Sequence, residues 1–353
     1  MRTIFHIDFN SYFATVEQQA NSRLRGKPIG VTGGDRMKRT VIGAASVEAK
    51  KFGVKTGMAI WQAKQLCPEI ILVAGDSDKY LETTKRFLNI IKDYSPYVEV
   101  FSIDECFLEV TGSRQQAIDI ALEIKKRIKT EIGEWITCSI GISYNKRMAK
   151  LAGSLYKPDG LVVIADEQAA QFILDRIELD EICGIGGRIK KRLNNMGIFN
   201  FKDLRNVPLP ALLASFKSYG RILYDMARGV DERPVLPFYE KEEVKSIGHR
   251  HTIDHDTSDG TEIKQILLKL TELIARKLRA KNLVGKTISC WYRSGATSTE
   301  VAPEQFEGDG MQTTINFTQD GLEIFKTAWK IFHQIWTGEK IRMVGVSISN
   351  LRP

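Results

Sequence analysis

The sequence predicts an α+β protein that contains two split βαβ units. Residues 75–165 read as helix, strand pair, helix and strand, and the strand at residues 4–9 completes a β–α–ββ–α–β order. Residues 244–353 repeat that element order. A chain of 353 residues is also too long for one ordinary core, so we expect two to four domains.

The acidic stretch at residues 98–110 is the first candidate functional feature. Apolar residues alternate on either side of Ser102-Ile103-Asp104-Glu105, which predicts two strands joined at the acidic pair. Two adjacent carboxylates in an apolar hairpin are costly unless a cation or a solvated cleft meets them. The strand at residues 4–9 carries a third carboxylate, Asp8. Three carboxylates on neighbouring strands would form an all-oxygen pocket that suits Mg²⁺.

Turn chemistry is the alternative explanation for the acidic pair, because Asp at a strand end often bonds to its own backbone. For the hairpin alone the two explanations are about equal. The Asp8 strand favours the metal site, since the split βαβ order would place it beside the Asp104 hairpin.

Residues 10–74 form a small mixed segment between the first strand and the rest of the split βαβ unit. A helix begins near Tyr12. The segment then contains short strands at 28–31 and 41–45, a turn at 33–36, and helices at 46–53 and 61–66.

The remaining elements of the first split βαβ unit follow from apolar periodicity. Helical spacing predicts helices, and runs rich in β-branched residues predict strands. We expect helices at 78–94, 117–132 and 146–155, and strands at 137–143 and 161–164.

Residues 166–235 are predicted to be helical, with a glycine turn at Gly184-Ile185-Gly186-Gly187 that opens a basic helix. Backbone N–H groups at such a helix N-terminus can bind phosphate. A purely structural helix–turn–helix is the alternative, and the adjacent Lys190 and Lys191 favour DNA. A charged, proline-containing linker at 231–243 precedes the second split βαβ unit, whose first strand is expected at 244–251.

The composition is that of a globular protein with a basic surface. The formal net charge of +8 suits a polyanionic partner. None of the five cysteines is paired at metal-ligand or redox spacing, so we expect a cytoplasmic protein with reduced, buried thiols. His6 and Asp8 interrupt the N-terminal apolar run, which argues against a signal peptide, and no run is long enough for a membrane span.

Seven motifs together resemble the Y-family translesion DNA polymerases, most closely their DinB branch. They are Asp8-Phe9, Glu48–Val54, Ser102–Glu105, Lys157–Gly160, Gly184–Gly186, Gly229–Arg233 and Lys245–Gly248. The resemblance covers essentially the whole chain.

That resemblance implies a right-hand polymerase with a ferredoxin-like palm and a helix-hairpin-helix thumb. The implied domains are a palm at 1–9 and 75–165, fingers at 10–74, a thumb at 166–232, a linker at 233–243 and a little finger at 244–353. The implied reaction adds a deoxynucleotide from its triphosphate to the primer 3′-hydroxyl of primer–template DNA, with low fidelity and in a distributive manner.

The resemblance also implies roles for individual residues. Asp8, Asp104, Glu105 and the Phe9 carbonyl would hold two Mg²⁺ ions. Phe13 would exclude a ribose 2′-hydroxyl, and Lys157 would reach the triphosphate. Independently of the resemblance, we expect the DNA backbone to be contacted by Gly184, Gly186, Lys190, Lys191, Lys245 and Arg250.

The chain departs from the family pattern in the triphosphate-binding segment. Ala44, Val47 and Lys50 stand where the family carries Thr, Tyr and Arg. We therefore expect weaker nucleotide binding, and a catalytically weakened DNA-binding scaffold is the alternative function. A nucleotide cyclase with a similar palm is a third possibility, which the basic thumb disfavours.

The expected partners are primer–template DNA and a deoxynucleoside triphosphate, with the protein acting as a monomer and without a membrane partner. The sequence ends at Pro353, directly after the last expected strand, so the family's C-terminal clamp-binding tail is expected to be absent or to have been trimmed, and a sliding clamp stays a possible partner. Residues 265–270 match a sliding-clamp motif literally, but Leu267, Leu268 and Leu270 are expected to be the buried stripe of a helix.

Overall fold

The computed structural model describes residues 2–33, 40–240, 243–295 and 307–353. The chain divides into two compact units, Met1–Lys241 and Glu242–Pro353. Residues 34–36 of the predicted turn and residues 241–242 of the predicted linker lie outside the described residues.

The first unit contains eight strands and eleven α-helices among its described residues. The strands are β1 (Ile4–Phe9), β2 (Ile29–Thr32), β3 (Ala44–Ala45), β4 (Ile71–Ala74), β5 (Val98–Val100), β6 (Glu105–Glu109), β7 (Cys138–Ser143) and β8 (Leu161–Ile164). The helices are α1 (Tyr12–Ala20), α2 (Val47–Lys51), α3 (Ile60–Leu66), α4 (Ser77–Lys92), α5 (Ala117–Arg127), α6 (Lys146–Leu155), α7 (Glu167–Leu174), α8 (Gly187–Asn194), α9 (Phe201–Asn206), α10 (Leu209–Phe216) and α11 (Ser218–Ala227).

The larger sheet of this unit has the strand order β5-β6-β1-β7-β8. Strand β1 lies between β6 and β7 and is antiparallel to both, while β8 is parallel to β7. The connections β1–α4–β5 and β6–α5–β7 each skip one strand, which is the split βαβ arrangement that the sequence predicted. The predicted fold class is confirmed.

Strand β1 is buried on both faces, and this determines where its side chains point. Phe5, Ile7 and Phe9 join the core beneath α4 and α5. Because side chains alternate along a strand, His6 and Asp8 point to the opposite face, which α6 covers. Gly141 on β7 permits this close approach, since a Cβ there would lie 2.1 Å from the Ala149 carbonyl oxygen of α6.

A second, three-stranded sheet in the order β3-β2-β4 lies in residues 10–74. Strand β4 was not predicted, because a four-residue apolar run without alternation does not distinguish a strand from a helix. Strand β3 is shorter than predicted. It spans only Ala44–Ala45, and Val41 makes an isolated bridge to Ala59 instead.

The second unit, described by itself, is also a split βαβ fold. Its elements are β9 (Ser246–Thr257), α12 (Gly260–Ala280), β10 (Gly285–Ser294), β11 (Gly310–Thr318), α13 (Gly321–Ile335) and β12 (Ile341–Ser349). The strand order β11-β10-β12-β9 places the first and last strands together at one edge, unlike the first unit. Strand β9 also runs six residues beyond the predicted end at His251.

Two predicted burial patterns are partly wrong. In α12, Leu267 and Leu270 are buried, but Leu268 is 41% exposed and is not part of the buried stripe. Four cysteines are buried as expected, whereas Cys183 is exposed because it lies in the turn before α8. Among the described residues, no helix combines the length and the apolarity needed to cross a bilayer.

Candidate active site

The pairing of β1 with β6 brings the predicted carboxylates together. Asp8 is the register partner of Glu105, so their side chains leave the sheet on the same face. The Phe9 N–H donates to the Asp104 carbonyl oxygen at 3.1 Å, which extends the pairing into the turn. Asp104, Glu105 and Asp8 therefore meet at one end of the β1–β6 strand pair.

Asp8 lies at the end of β1 and is largely buried. Its Oδ2 lies 2.5 Å from Nζ of Lys157, which follows α6 in the chain. The sequence analysis gave these two residues different roles, because it expected Asp8 to bind a metal ion and Lys157 to contact the triphosphate. The lysine ammonium balances the charge of the carboxylate.

Glu105 is held by two residues that the sequence analysis missed. Lys150 on α6 and the buried His6 both contact its Oε2, with His6 Nε2 at 3.1 Å. Burial raises the pKa of the Glu105 carboxyl, but the hydrogen bonds from His6 and Lys150 outweigh burial and hold that pKa at about 2. Burial lowers the pKa of His6, so the imidazole is neutral and donates through Nε2. Glu105 is therefore ionised, with Oε2 fixed.

Asp104 has the opposite electrostatic environment. Burial raises the pKa of its carboxyl, and the negative charges of Asp8 and Glu105 raise it further. The Ser102 hydroxyl donates to Asp104 Oδ1 at 2.5 Å and offsets only part of this rise. A cation at this point would relieve the repulsion between the carboxylates.

The three carboxylates line one cleft of about 590 Å³ together with the predicted nucleotide-binding residues. The predicted positions along its wall are Asp8, Phe9, Phe13, Ala44, Val47, Lys50, Asp104, Glu105 and Lys157. Lys51 and Thr56 also line the cleft and were missed, because both lie on an exposed surface that carries no sequence signal.

Phe13 is held in the cleft by an aromatic neighbour. Its ring stacks on Tyr80 of α4, with centroids 4.3 Å apart and an interplanar angle of 15°. The Tyr80 hydroxyl donates to Glu17 Oε1 at 2.8 Å, and Lys79 pairs with the other oxygen of Glu17 at 2.7 Å. The orientation of Phe13 therefore depends on Tyr80, which the sequence analysis did not assign to the site.

Ala44, Val47 and Lys50, which depart from the family pattern, line the same cleft. Ala44 is buried in β3, and Val47 is the first residue of α2. Burial lowers the pKa of Lys50, and the nearby positive charge of Lys157 lowers it further. Lys50 and Lys157 therefore both line the cleft that contains the three carboxylates.

A second cleft, of about 520 Å³, adjoins the carboxylates from the helical region. Its wall includes Asp8, Glu105, Lys150, Gly184 and Gly186. Gly184 has a φ of 114°, a conformation that other residues rarely adopt, and its carbonyl accepts a hydrogen bond from Tyr219 at 2.7 Å. The predicted glycine turn therefore lies next to the carboxylates, and Gly186 caps the N-terminus of α8.

The predicted basic DNA contacts differ in their surroundings. Lys190 pairs with Asp180 at 2.8 Å and with Glu178 at 3.1 Å, so its charge is largely balanced by the protein. Lys191, next to it on α8, is exposed. In the second unit, Lys245 and Arg250 are exposed at the beginning of β9.

The carboxylates fit a divalent cation by their chemistry. As the side chains stand, no three His, Cys, Asp or Glu residues of the described chain are grouped closely enough to share one ion. Asp8 is turned to Lys157 and Glu105 to Lys150. Together with Asp104, however, they offer three carboxylates whose donor atoms are all oxygen. Mg²⁺ prefers such ligands.

Comparison with known proteins agrees with this arrangement. A sequence model of the impB/mucB/samB family matches residues 7–154, and that of its C-terminal domain matches residues 244–353. A model described as the DNA polymerase-iota thumb domain matches residues 180–231. DNA polymerase IV of Pelotomaculum thermopropionicum is 37% identical over 98% of this chain and 84% of its own length. This chain belongs to the DNA polymerase IV family.

Other relatives extend the match. DNA polymerase IV of Clostridium perfringens is 34% identical over 99% of this chain and 94% of its own length. A solved Y-family DNA polymerase chimera superposes with a TM-score of 0.85 and 27% identity, covering 99% of this chain and 98% of the chimera. The resemblance to the DinB branch of the Y family is thus confirmed.

Proposed function

We propose that this protein is a translesion DNA polymerase, which adds deoxynucleotides to a primer 3′-hydroxyl under the direction of a template. The observation that carries the proposal is the meeting of Asp8, Asp104 and Glu105 in a cleft that also contains Phe13 and Lys157. Family membership supports the same reaction.

The cleft has the features that nucleotidyl transfer requires. Asp8 and Glu105 line both the cleft that contains Phe13 and Lys50 and the second cleft that contains the glycine turn, and Asp104 lines the first. An incoming triphosphate would occupy the first cleft and a primer end the second. This arrangement would bring the two substrates together at the carboxylates.

Asp8, Asp104, Glu105 and the Phe9 carbonyl would hold two Mg²⁺ ions. When bound, Mg²⁺ lowers the pKa of the primer hydroxyl and neutralises the triphosphate and its leaving group. Lys150 and His6 keep Glu105 ionised and fix one of its oxygens. Lys157 is free to exchange the Asp8 carboxylate for a phosphate, because its side chain is 40% exposed.

We propose that the chain has the domain organisation of a right-hand polymerase. Residues 1–9 and 75–165 would form the palm, 10–74 the fingers, 166–232 the thumb and 244–353 the little finger, with a linker at 233–243. Phe13 would exclude ribonucleotides, and the glycine turn with Lys191 would bind DNA phosphates. The second unit would contribute Lys245 and Arg250.

The protein would act on primer–template DNA in the cytoplasm, as a monomer. The clamp motif at residues 265–270 would not be used, since Leu267 and Leu270 are buried.

A DNA-binding scaffold with little activity is the alternative, favoured by Ala44, Val47 and Lys50. Primer extension with the four deoxynucleotides and Mg²⁺ separates the two functions. We expect extension on undamaged and damaged templates. Binding of primer–template DNA without any extension would favour the scaffold, and cyclisation of a nucleoside triphosphate without DNA would overturn both.

A further inference from the structure

The loop that carries Lys157 is held by a buried polar network that the proposed mechanism does not use. This loop, residues 156–160, connects α6 to β8. Asp159 adopts a φ of 57°, a left-handed conformation that costs free energy in a residue other than glycine. A Cβ on Gly160 would lie 1.9 Å from the Tyr156 carbonyl oxygen. The loop is therefore tight, and its surroundings must stabilise it.

Lys125 of α5 makes several of the polar contacts that stabilise this loop. Its Nζ donates to the carbonyl oxygens of Cys138 at 2.8 Å, Asp159 at 2.7 Å and Gly160 at 3.2 Å. The same ammonium pairs with the Asp159 carboxylate at 2.7 Å. Its side chain is only 12% exposed, so these acceptors replace nearly all of its hydration.

Two buried polar residues complete the network from the sheet. Asn10, which directly follows β1, accepts the Asp159 N–H through Oδ1 at 2.8 Å. Its Nδ2 donates to the Ser139 hydroxyl at 3.0 Å, and that hydroxyl accepts the Gly160 N–H at 3.3 Å. The loop is thus tied to the end of the strand that carries Asp8.

The consequence concerns Lys157, two residues before Asp159. A lysine has a long and flexible side chain, and the position of its ammonium depends on where its backbone is fixed. With the loop fixed by these hydrogen bonds, Lys157 Nζ lies 2.5 Å from Asp8 Oδ2, in the cleft proposed for the triphosphate.

We infer that Lys125 is a positioning residue for nucleotide binding: through the carbonyls of Asp159 and Gly160 it holds Lys157 at the triphosphate cleft. This inference rests on the proposed role of Lys157. Lys125 itself does not line the cleft and touches no substrate.

The test is single-nucleotide insertion by three variants, Lys125→Met, Lys157→Ala and the double variant. Methionine keeps the apolar stem and removes the ammonium. We expect Lys125→Met to raise KM for the incoming nucleotide about tenfold, with kcat changed much less, because a displaced loop weakens binding more than chemistry. Because Lys125 acts through Lys157, the double variant should show the KM of Lys157→Ala alone.

Lys129→Met is the matched control. Lys129 lies four residues after Lys125, in the helical turn just beyond the end of α5, and pairs with the same Asp159 carboxylate at 2.9 Å, but from a 42% exposed position. Its loss should leave KM within about twofold, as is usual for an exposed ion pair. Hydrogen exchange gives a readout independent of activity: the Asp159 and Gly160 amides should exchange faster in Lys125→Met and not in Lys129→Met.

The outcomes are distinct. An unchanged KM in folded Lys125→Met, or a double variant whose effects add fully, would overturn the inference alone. An unchanged KM in Lys157→Ala would overturn the proposed role of Lys157 and the inference with it. If Lys125→Met does not fold, Lys125→Gln, which keeps an N–H donor, takes its place with the same expected KM rise and the same non-additivity.

Discussion

Asp8 and Glu105 face each other across the β1–β6 pair, and each is held by a different lysine of the α6 region. Asp8 pairs with Lys157, and Glu105 pairs with Lys150. Each of the two carboxylates therefore has a lysine ammonium of its own as a counter-charge. We expect the binding of nucleotide and metal to redistribute these contacts.

Sugar selection should depend on Phe13 and on the residue that supports it. Phe13→Ala should raise ribonucleotide incorporation sharply, because truncation opens room for a 2′-hydroxyl. Tyr80→Ala should raise ribonucleotide incorporation less, since it removes the ring that stacks on Phe13 at 4.3 Å but does not remove the Phe13 ring itself. The measurement is the ratio of kcat/KM for deoxynucleotide and ribonucleotide. Leu81→Ala, an exposed neighbour on α4, is the control, and unchanged selectivity in Phe13→Ala would place the sugar filter elsewhere.

Nucleotide affinity should improve when the family residues are restored at positions 44, 47 and 50. Ala44→Thr and Val47→Tyr each add a hydroxyl donor worth about 1.5–3 kcal/mol to a charged acceptor. Lys50→Arg adds a forked contact that an ammonium cannot make. We expect the triple variant to lower KM by at least about tenfold. Steady-state insertion measures this, and a parent enzyme that already saturates at low nucleotide would contradict the prediction.

DNA affinity should distinguish two adjacent lysines of α8. Lys191 is exposed, whereas Lys190 is paired with Asp180 and Glu178. Lys191→Ala should therefore weaken primer–template binding and reduce the slope of log affinity against log salt by about one. Lys190→Ala should change the slope less. Fluorescence anisotropy at several salt concentrations measures both, and equal slopes for the parent and Lys191→Ala would remove Lys191 from the interface.

Stability should depend on a buried ion pair between β5 and α6. Glu99 accepts two hydrogen bonds from Lys146, at 2.9 and 2.8 Å, and one from the Leu236 N–H at 3.0 Å. Glu99→Ala leaves the buried Lys146 ammonium without its counter-charge, which should cost about 3 kcal/mol. Adding Lys146→Met should restore most of that loss. Denaturant unfolding of the first unit tests this, and a single variant as stable as the parent would show that water replaces the carboxylate.

Much of the fold could be predicted from local patterns. The amphipathic helices and the apolar strands around Asp104 and Glu105 carry their periodicity in the sequence. The meeting of Asp8 with these residues also followed, because the split βαβ order leaves few positions for the first strand. Where the pattern was short, as in β4, the prediction failed.

The supporting residues of the site could not be predicted, because their roles depend on contacts between distant parts of the chain. Lys150 and Glu105 are 45 residues apart, and Lys125 reaches Gly160 across 35 residues. Nothing in the sequence near His6 or Tyr80 distinguishes a supporting residue from a core residue. The exposed Leu268 shows the opposite error, since apolar type alone does not establish burial.

The central claim is that Asp8, Asp104 and Glu105 carry out DNA synthesis together. The most direct test is single-turnover primer extension by Asp104→Ala at saturating DNA, nucleotide and Mg²⁺, with primer–template affinity measured in parallel. Asp104 is the best choice of the three, because its partner is Ser102 and no lysine loses its counter-charge. We expect loss of extension with nearly unchanged DNA binding. Extension at the parent rate would contradict it.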